Sequence, residues 1–147
     1  MLFRSIHKLV EVICKGGNLL LGVGPTPEGV FPEEVNQRLK EIGEWTSIHS
    51  EAIYGTRSFL NFQEKNIYFV EGKNNQKYAF VLLNEGEQLP SKISLPFQVE
   101  NKDQDLIELS SRERQSIRMK DGKMIVTPSE KVRAASKGLP VVVFRWI

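Results

Sequence analysis

The chain has 147 residues, 40% of them apolar and 26% charged, with a net charge of +2. That balance excludes an intrinsically disordered segment and a nucleic-acid-binding surface, and it allows one ordinary domain or two small ones. Residues 1–55 carry 5 Lys/Arg against 7 Asp/Glu, and residues 56–147 carry 15 against 11, so the chain divides into two segments of different character rather than presenting a basic patch. No apolar run approaches the roughly 20 residues of a membrane-spanning helix. Glu11 interrupts the N-terminal apolar stretch, and no small-residue cleavage site follows, so that stretch is a poor signal peptide.

In chain order, Leu2, Phe3, Ile6, Leu9, Val10 and Ile13 recur at helical spacing, and Gly16-Gly17 stop the pattern as a left-handed C-terminal cap does. Asn18–Val23 is apolar on both alternations, which is the pattern of a strand covered on both faces in a parallel α/β sheet. After the loop Gly24–Gly29, Pro32 fits the first turn of a second helix, with Glu33 and Glu34 at its positive end. Val35, Leu39, Ile42, Trp45 and Ile48 form one face of that helix. Helix, buried strand, helix is the order found in βα-barrels and doubly wound sheets.

The pattern changes near Tyr54-Gly55-Thr56. Strands are expected over Arg57–Phe62, Asn66–Gly72, Gln76–Leu83, Lys92–Pro96, Asp105–Leu109 and Pro140–Ile147. Lys73-Asn74-Asn75 reads as a turn, and Ile117, Met119, Met124 and Val126 alternate around Asp121-Gly122 as a hairpin. About eight short strands between turn residues point to an antiparallel sandwich or a similar sheet. The fold class expected is therefore α+β: a helix-strand-helix piece of a (β/α) barrel or of a doubly wound sheet in residues 1–55, followed by an antiparallel β-sandwich in residues 56–147.

Chemistry-bearing residues are sparse. The single cysteine, Cys14, lies in the apolar helical stripe and reads as a buried, inert thiol. Gly22, Gly24 and Gly29 sit between strand and helix as in a phosphate cradle, but Pro25 and Pro27 remove two backbone donors and no Lys follows. His7 and His49 lack metal-ligand spacing and read as surface or helix-end histidines. Asp103 and Asp105 lack the Gly and distal Glu of a calcium loop and read as a solvated turn, as does Arg112-Glu113-Arg114. Trp45 and Trp146 share faces with apolar neighbours (Ile42 and Ile48; Val142 and Phe144) and read as core rather than as sugar-stacking platforms. No catalytic, substrate-binding, cofactor-binding or metal-ligating residue is assigned, and no cofactor is expected.

Two stretches are distinctive together: KGGNLLLGVGPTPEG (Lys15–Gly29) and RLKEIGEWTSIHSEAIYGTR (Arg38–Arg57). They resemble the last β/α unit of the α-L-fucosidases of glycoside hydrolase family 29, which carries a GGNLLLN-V/I-GP-x-x-DG strand and loop and then a helix ending near IG-x-WL…NGEAIYGTR. QKYAFVLL and PSKISLP resemble the start of that family's C-terminal β-sandwich. Gly22 stands where the family has Asn, His49-Ser50 where it has Asn-Gly, and Ser58-Phe59 where Pro-Trp is frequent. The first of these changes removes a polar side chain from the barrel rim.

The resemblance implies a retaining glycosidase that releases terminal α-L-fucose from glycans, with an Asp nucleophile and a separate acid/base carboxylate upstream of anything present here. Such chemistry needs two carboxyl groups about 5–5.5 Å apart, and the loop after the expected strand supplies one acid, Glu28. A closed barrel also takes about 250 residues. The chain is accordingly expected to be a C-terminal, non-catalytic portion of such an enzyme, with a standalone glycan-binding or interaction module as the alternative. Strand 18–23 would be bare on both edges, and is expected to be covered by a second copy, by the missing barrel half, or by the chain's own sandwich. A fucosylated glycan is expected as ligand only in a complete enzyme. Neither nucleic acid nor membrane is expected as a partner, and the compartment is left open, although complete family members are often exported or lysosomal.

Overall fold

The computed structural model describes residues 2–98 and 104–146. Helix α1 spans Leu2–Cys14 and buries Ile6, Val10 and Cys14, four residues apart on one side. It ends in a Schellman cap: Gly16, at φ +84°, donates to Ile13 O (3.0 Å), and Gly17 donates to Val12 O (2.9 Å). Helix α2 spans Glu33–Ile48, with Pro32 one residue outside it, accepting hydrogen bonds from Val35 and Asn36. Its inner face is not the expected one throughout. Trp45 is buried, but Ile48 is 47% exposed, because the stripe continues at i+4 through the buried His49 instead of at i+3. A four-residue helix, α3 (Ser50–Ile53), follows directly; the sequence pattern had not separated it.

Among the described residues eight strands come next: β1 (Arg57–Glu64), β2 (Ile67–Glu71), β3 (Lys77–Leu82), β4 (Ile93–Leu95), β5 (Leu106–Glu108), β6 (Arg114–Lys120), β7 (Lys123–Thr127) and β8 (Val141–Trp146). All the strands expected after Gly55 are present, shorter or longer by a residue or two. Every pair is antiparallel, in the order β1-β2-β3-β8-β5-β6-β7-β4. Strand β6 changes partner along its length: Arg114 and Gln115 pair with β5, and Ser116–Lys120 pair with β7. The sheet curls around that strand. The β6–β7 hairpin turns at Asp121 (φ +50°) and Gly122 (φ +73°), two positive-φ residues in succession as a type I′ turn requires. In the β2–β3 turn, Asn74 and Asn75 take the left-handed region (φ +57° and +59°), where asparagine is enriched. Helix α4 (Glu130–Ser136) was not anticipated; its cap is Ser129, whose Oγ accepts from Val132 N (3.2 Å).

The alternation of the strands produces two apolar layers. Inside the curl, Phe69, Val81, Leu95, Met124, Val126, Val142, Phe144 and Trp146 pack with Val132 of α4. On the outer face of β2, β3 and β8, Val70, Tyr78, Phe80, Val141 and Val143 pack against Ile6, Val10, Cys14, Trp45 and Ala52 of the helices. Strands β3 and β8 are thus buried on both sides, and Trp146 shares its face with Val142 and Phe144 as their alternation requires.

One expected element is absent. Asn18–Val23 forms no strand, because none of the described residues lies beside it to complete a ladder. The segment runs extended and largely exposed past the helices: Leu20 is 96% exposed, and Leu21, Val23, Val30 and Phe31 are exposed as well.

Candidate functional site

The loop that follows the expected strand is where chemistry would sit. Thr26 N donates to Val30 O (2.8 Å) and Gly29 N, at φ +79°, donates to Thr26 O (2.9 Å), closing a compact turn. Glu28 projects from it into solvent, and the Thr26 hydroxyl, followed by its own backbone N–H, holds its carboxyl below the ordinary range. This carboxylate stays ionised and alone.

Two clefts lie between the extended segment and the helices. One, of about 530 Å³, is lined by Leu21 and Val23 on one side and by Val35, Leu39 and Ile42 on the other, with Glu33, Glu34 and Arg38 also on its wall. Glu28 does not line it. Glu33 and Glu34 are consecutive residues of a helix, so their side chains diverge by about 100°, and both are exposed; they do not flank one point as a double displacement requires. Arg38 is occupied by Glu41 at 2.6 Å. The second cleft, about 560 Å³, is lined by Leu19 and Leu21 against Leu9, Ile13, Ile42 and Ile53, with Tyr54–Arg57 beyond. Both are gaps between a chain segment and the helices it runs past, the first mainly apolar and the second with Asn18, Thr46, Thr56 and Arg57 on its wall as well.

The other candidates take structural places. Cys14 is fully buried, and burial pushes its thiol far up. His7 bonds Pro140 O through Nε2 (2.8 Å), fastening α1 to the start of β8. His49 ends α2, as a helix-end histidine, but it is buried rather than on the surface. Its ring stacks on Trp45 (centroids 4.4 Å apart), and Nδ1 donates to Trp45 O (2.8 Å). That carbonyl can only accept, so Nδ1 carries the proton, and Nε2 has no partner among the described residues. Burial keeps His49 below its ordinary pKa, against the pull of that carbonyl and of the Glu108 carboxylate. Asp105 pairs with Arg114 (2.8 Å), whereas Asp103 lies outside the described residues. Among the described residues no group of three His, Cys, Asp or Glu side chains is placed to hold a metal ion, and no helix is long and apolar enough to cross a membrane.

Two polar clusters were not singled out from the sequence. Glu108, at the end of β5, is buried, and its carboxylate accepts from Ser110 N and Oγ (2.9 and 2.5 Å) and from Ser111 N and Oγ (2.8 and 2.6 Å). An acid beside two serines resembles a nucleophile site, yet here both hydroxyls donate to the carboxylate and brace a turn. The Glu-x-Ser-Ser spacing carried that signal. The second cluster joins helices to sheet: Glu51 of α3 meets Arg112 (2.5 Å) and Arg145 (2.9 Å), and accepts from the Tyr78 hydroxyl (3.3 Å). Its partners lie 27, 61 and 94 residues away, beyond the reach of any local pattern.

The family model "Alpha-L-fucosidase" matches residues 4–51. Tissue alpha-L-fucosidase of Bos taurus is 39% identical over 77 residues, 52% of this chain and 16% of that protein. Alpha-L-fucosidase of Dictyostelium discoideum is 43% identical over 78 residues, again 52% of this chain and 17% of that one. The solved structure of Thermotoga maritima alpha-fucosidase in complex with a mechanism-based inhibitor superposes with a TM-score of 0.82 at 25% identity, over 99% of this chain and 34% of that one. An alpha-L-fucosidase of Bacteroides thetaiotaomicron, at 19% identity and a TM-score of 0.79, shares the fold. The chain therefore spans about a sixth of these curated relatives and about a third of these solved ones. In motif over residues 4–51 and in fold over nearly all its described length, this chain resembles the C-terminal portion of an α-L-fucosidase of glycoside hydrolase family 29.

Proposed function

We propose that residues 1–147 serve an α-L-fucosidase as a structural, non-catalytic portion. In this reading residues 1–55 close the catalytic βα-barrel, residues 56–147 form the β-sandwich that braces it, and the reacting carboxylates come from elsewhere in the barrel. The carrying observation is the fit to the Thermotoga maritima alpha-fucosidase over 99% of this chain and only 34% of that one. The local chemistry supports the same reading. Glu28 stands alone in solvent, outside both clefts, and the remaining acids of the helices lie on exposed or ion-paired faces. The whole enzyme would cleave terminal α-linked L-fucose from glycans.

The rival reading, a freestanding glycan-binding sheet, calls for exposed aromatic platforms on the strands. The described aromatic side chains of the sheet are buried or half-buried instead: Phe69, Tyr78, Phe80, Phe144 and Trp146 are in the core, and Phe59 and Tyr68 pack against it. The test is incubation of the purified chain with an aryl α-L-fucoside. No release above buffer is expected. Turnover proportional to chain concentration that survives repurification would overturn the reading.

A further inference from the structure

We propose that the outer face of β6, β7 and β4 is a docking surface for an acidic polysaccharide, a sugar chain carrying sulfate or carboxylate groups. On β6 the alternation that points away from the inner core holds Arg114, Ser116, Arg118 and Lys120, all exposed, while Gln115 is buried and Ile117 packs on that core. The antiparallel register sets Thr127 beside Ser116, Ile125 beside Arg118 and Lys123 beside Lys120. Beyond them on β4, Ser94 faces Ile125, and Lys92 precedes it on the same alternation. Folding thus sorts bases that interleave with acids along the sequence: no acid stands on the outward alternation of these three strands. Asp105 pairs with Arg114 (2.8 Å) and Glu64 comes within 3.7 Å of Lys123, so those two bases are partly neutralised. Lys92, Arg118 and Lys120 are exposed and have no ion-pair partner among the described residues.

The spacing of charge and the kinds of side chain select the occupant. Residues two apart on a strand are about 7 Å apart and neighbouring strands about 5 Å, so the free bases are spread over the sheet and do not converge on one point. Spread single charges match anionic groups repeated along a chain, not one small anion. The spacings are comparable with the screening length of about 8 Å at physiological salt, so the bases act on such a chain together. Ser94, Ser116 and Thr127 put hydroxyls between the bases, each able to donate and to accept, which suits the hydroxyls of a sugar. Arg118 offers its planar fork to a sulfate or carboxylate. Single-stranded nucleic acid would call for aromatic rings to stack on, and a membrane would call for large apolar side chains to bury. The outward alternation has neither: Ile125 is half-buried, and the exposed Met119 lies on the opposite alternation. The face lies across the inner core from α1, α2 and α3, which pack outside β2, β3 and β8. The inference is independent of the hydrolase reading.

The test is titration calorimetry of the 147-residue chain with heparin at low and high salt, with polyglutamate, oligothymidylate and phosphatidylserine vesicles as comparison ligands. Expected is heparin binding that weakens as salt rises and exceeds that of each comparison ligand by roughly tenfold or more. The triple variant Lys92→Gln, Arg118→Gln, Lys120→Gln changes exposed side chains, so it should melt with wild type and lose heparin affinity by roughly tenfold or more. A matched variant, Arg4→Gln, Lys40→Gln, Lys137→Gln, removes the same charge from exposed sites elsewhere and should bind as wild type does. Ser116→Glu keeps every base, sets an acid in the middle of the face, and should also weaken heparin binding; it decides the matter if the triple variant melts early. Four outcomes overturn the proposal: no heparin binding at low salt, an equal loss in the matched variant, undiminished binding by Ser116→Glu, or a comparison ligand that binds as tightly as heparin.

Discussion

Replacing Glu51 tests whether α3 is tied to the sheet by charge or merely leans on it. The carboxylate is 28% exposed; Arg145, one partner, is 26% exposed, and Arg112, the other, is 57% exposed. The Arg112 leg is a surface pair, worth about 0.2–1 kcal/mol. The Arg145 leg is a charge-assisted bond in a drier place, worth about 1.5 kcal/mol at the low end of its class because water still reaches it. Glu51→Ala should therefore cost roughly 2 kcal/mol, which in a chain of this size lowers the melting temperature by roughly 4–8 °C. Scanning calorimetry at low and high salt measures it; the wild-type advantage should shrink with salt. Acid gives a second readout. Burial raises the Glu51 carboxyl, but hydrogen bonds and charge from Arg112 and Arg145 outweigh it, and the net pKa lies below the ordinary 4.5. A depressed carboxyl binds its proton more readily when unfolded, so its contribution is complete above pH 4.5 and drains away as pH falls toward the lower folded value. Glu51→Gln should flatten that part of the stability curve. If Glu51→Ala melts with wild type at every salt concentration, or if a cycle with Arg145→Met gives no coupling, the tie is not electrostatic.

His49, kept neutral by burial, has a folded pKa below 6.5, so stability should fall as pH drops from 6.5 toward that value; His49→Asn, whose side-chain N–H still reaches Trp45 O, should remove this slope in pH-dependent melts. Cys14, buried and with its thiol pushed far up, should resist a disulfide reagent in the native chain and react at the ordinary rate in denaturant; rapid native labelling would mean that α1 opens from the sheet. Gly122→Ala should cost about 1–2 kcal/mol by chemical denaturation, since φ is +73° and the new Cβ would lie 3.3 Å from Gln98 Nε2.

Local patterns revealed what depends on local physics. The two-residue period exposed the strands, Asp121-Gly122 marked its own hairpin, and Gly16-Gly17 marked the helix cap, since each follows from backbone sterics within a few residues. Trp146 was assignable to the core because Val142 and Phe144 lie on the same alternation. Asn18–Val23 shows the opposite case. Its side chains specify a strand, but a strand also needs neighbours, and no pattern within the segment supplies them. Helix α4 was missed because only three of its residues face the core or its edge, too few for a period, although Pro128-Ser129-Glu130 is a recognisable start. His49 is a helix-end histidine, one of the two places its spacing allowed; its burial depends on the turn from α2 into α3, which sequence spacing does not encode. The absence of an assigned site rested on a single loop acid, Glu28; Glu51 and Glu108 were not singled out, and their partners identify them as braces.

Strand β8 holds a central position while coming last among the strands. It pairs with β3 on one side and β5 on the other. During synthesis the ribosome therefore releases two unfinished half-sheets, β1–β3 and β4–β7, before the residues that join them leave the exit tunnel. Until then β3 and β5 each show a naked edge carrying apolar residues (Ala79, Phe80 and Val81; Leu106 and Ile107), open to wrong partners. A stop codon even a few positions ahead of Val141 would not trim a tail; it would leave two sticky halves with nothing between them.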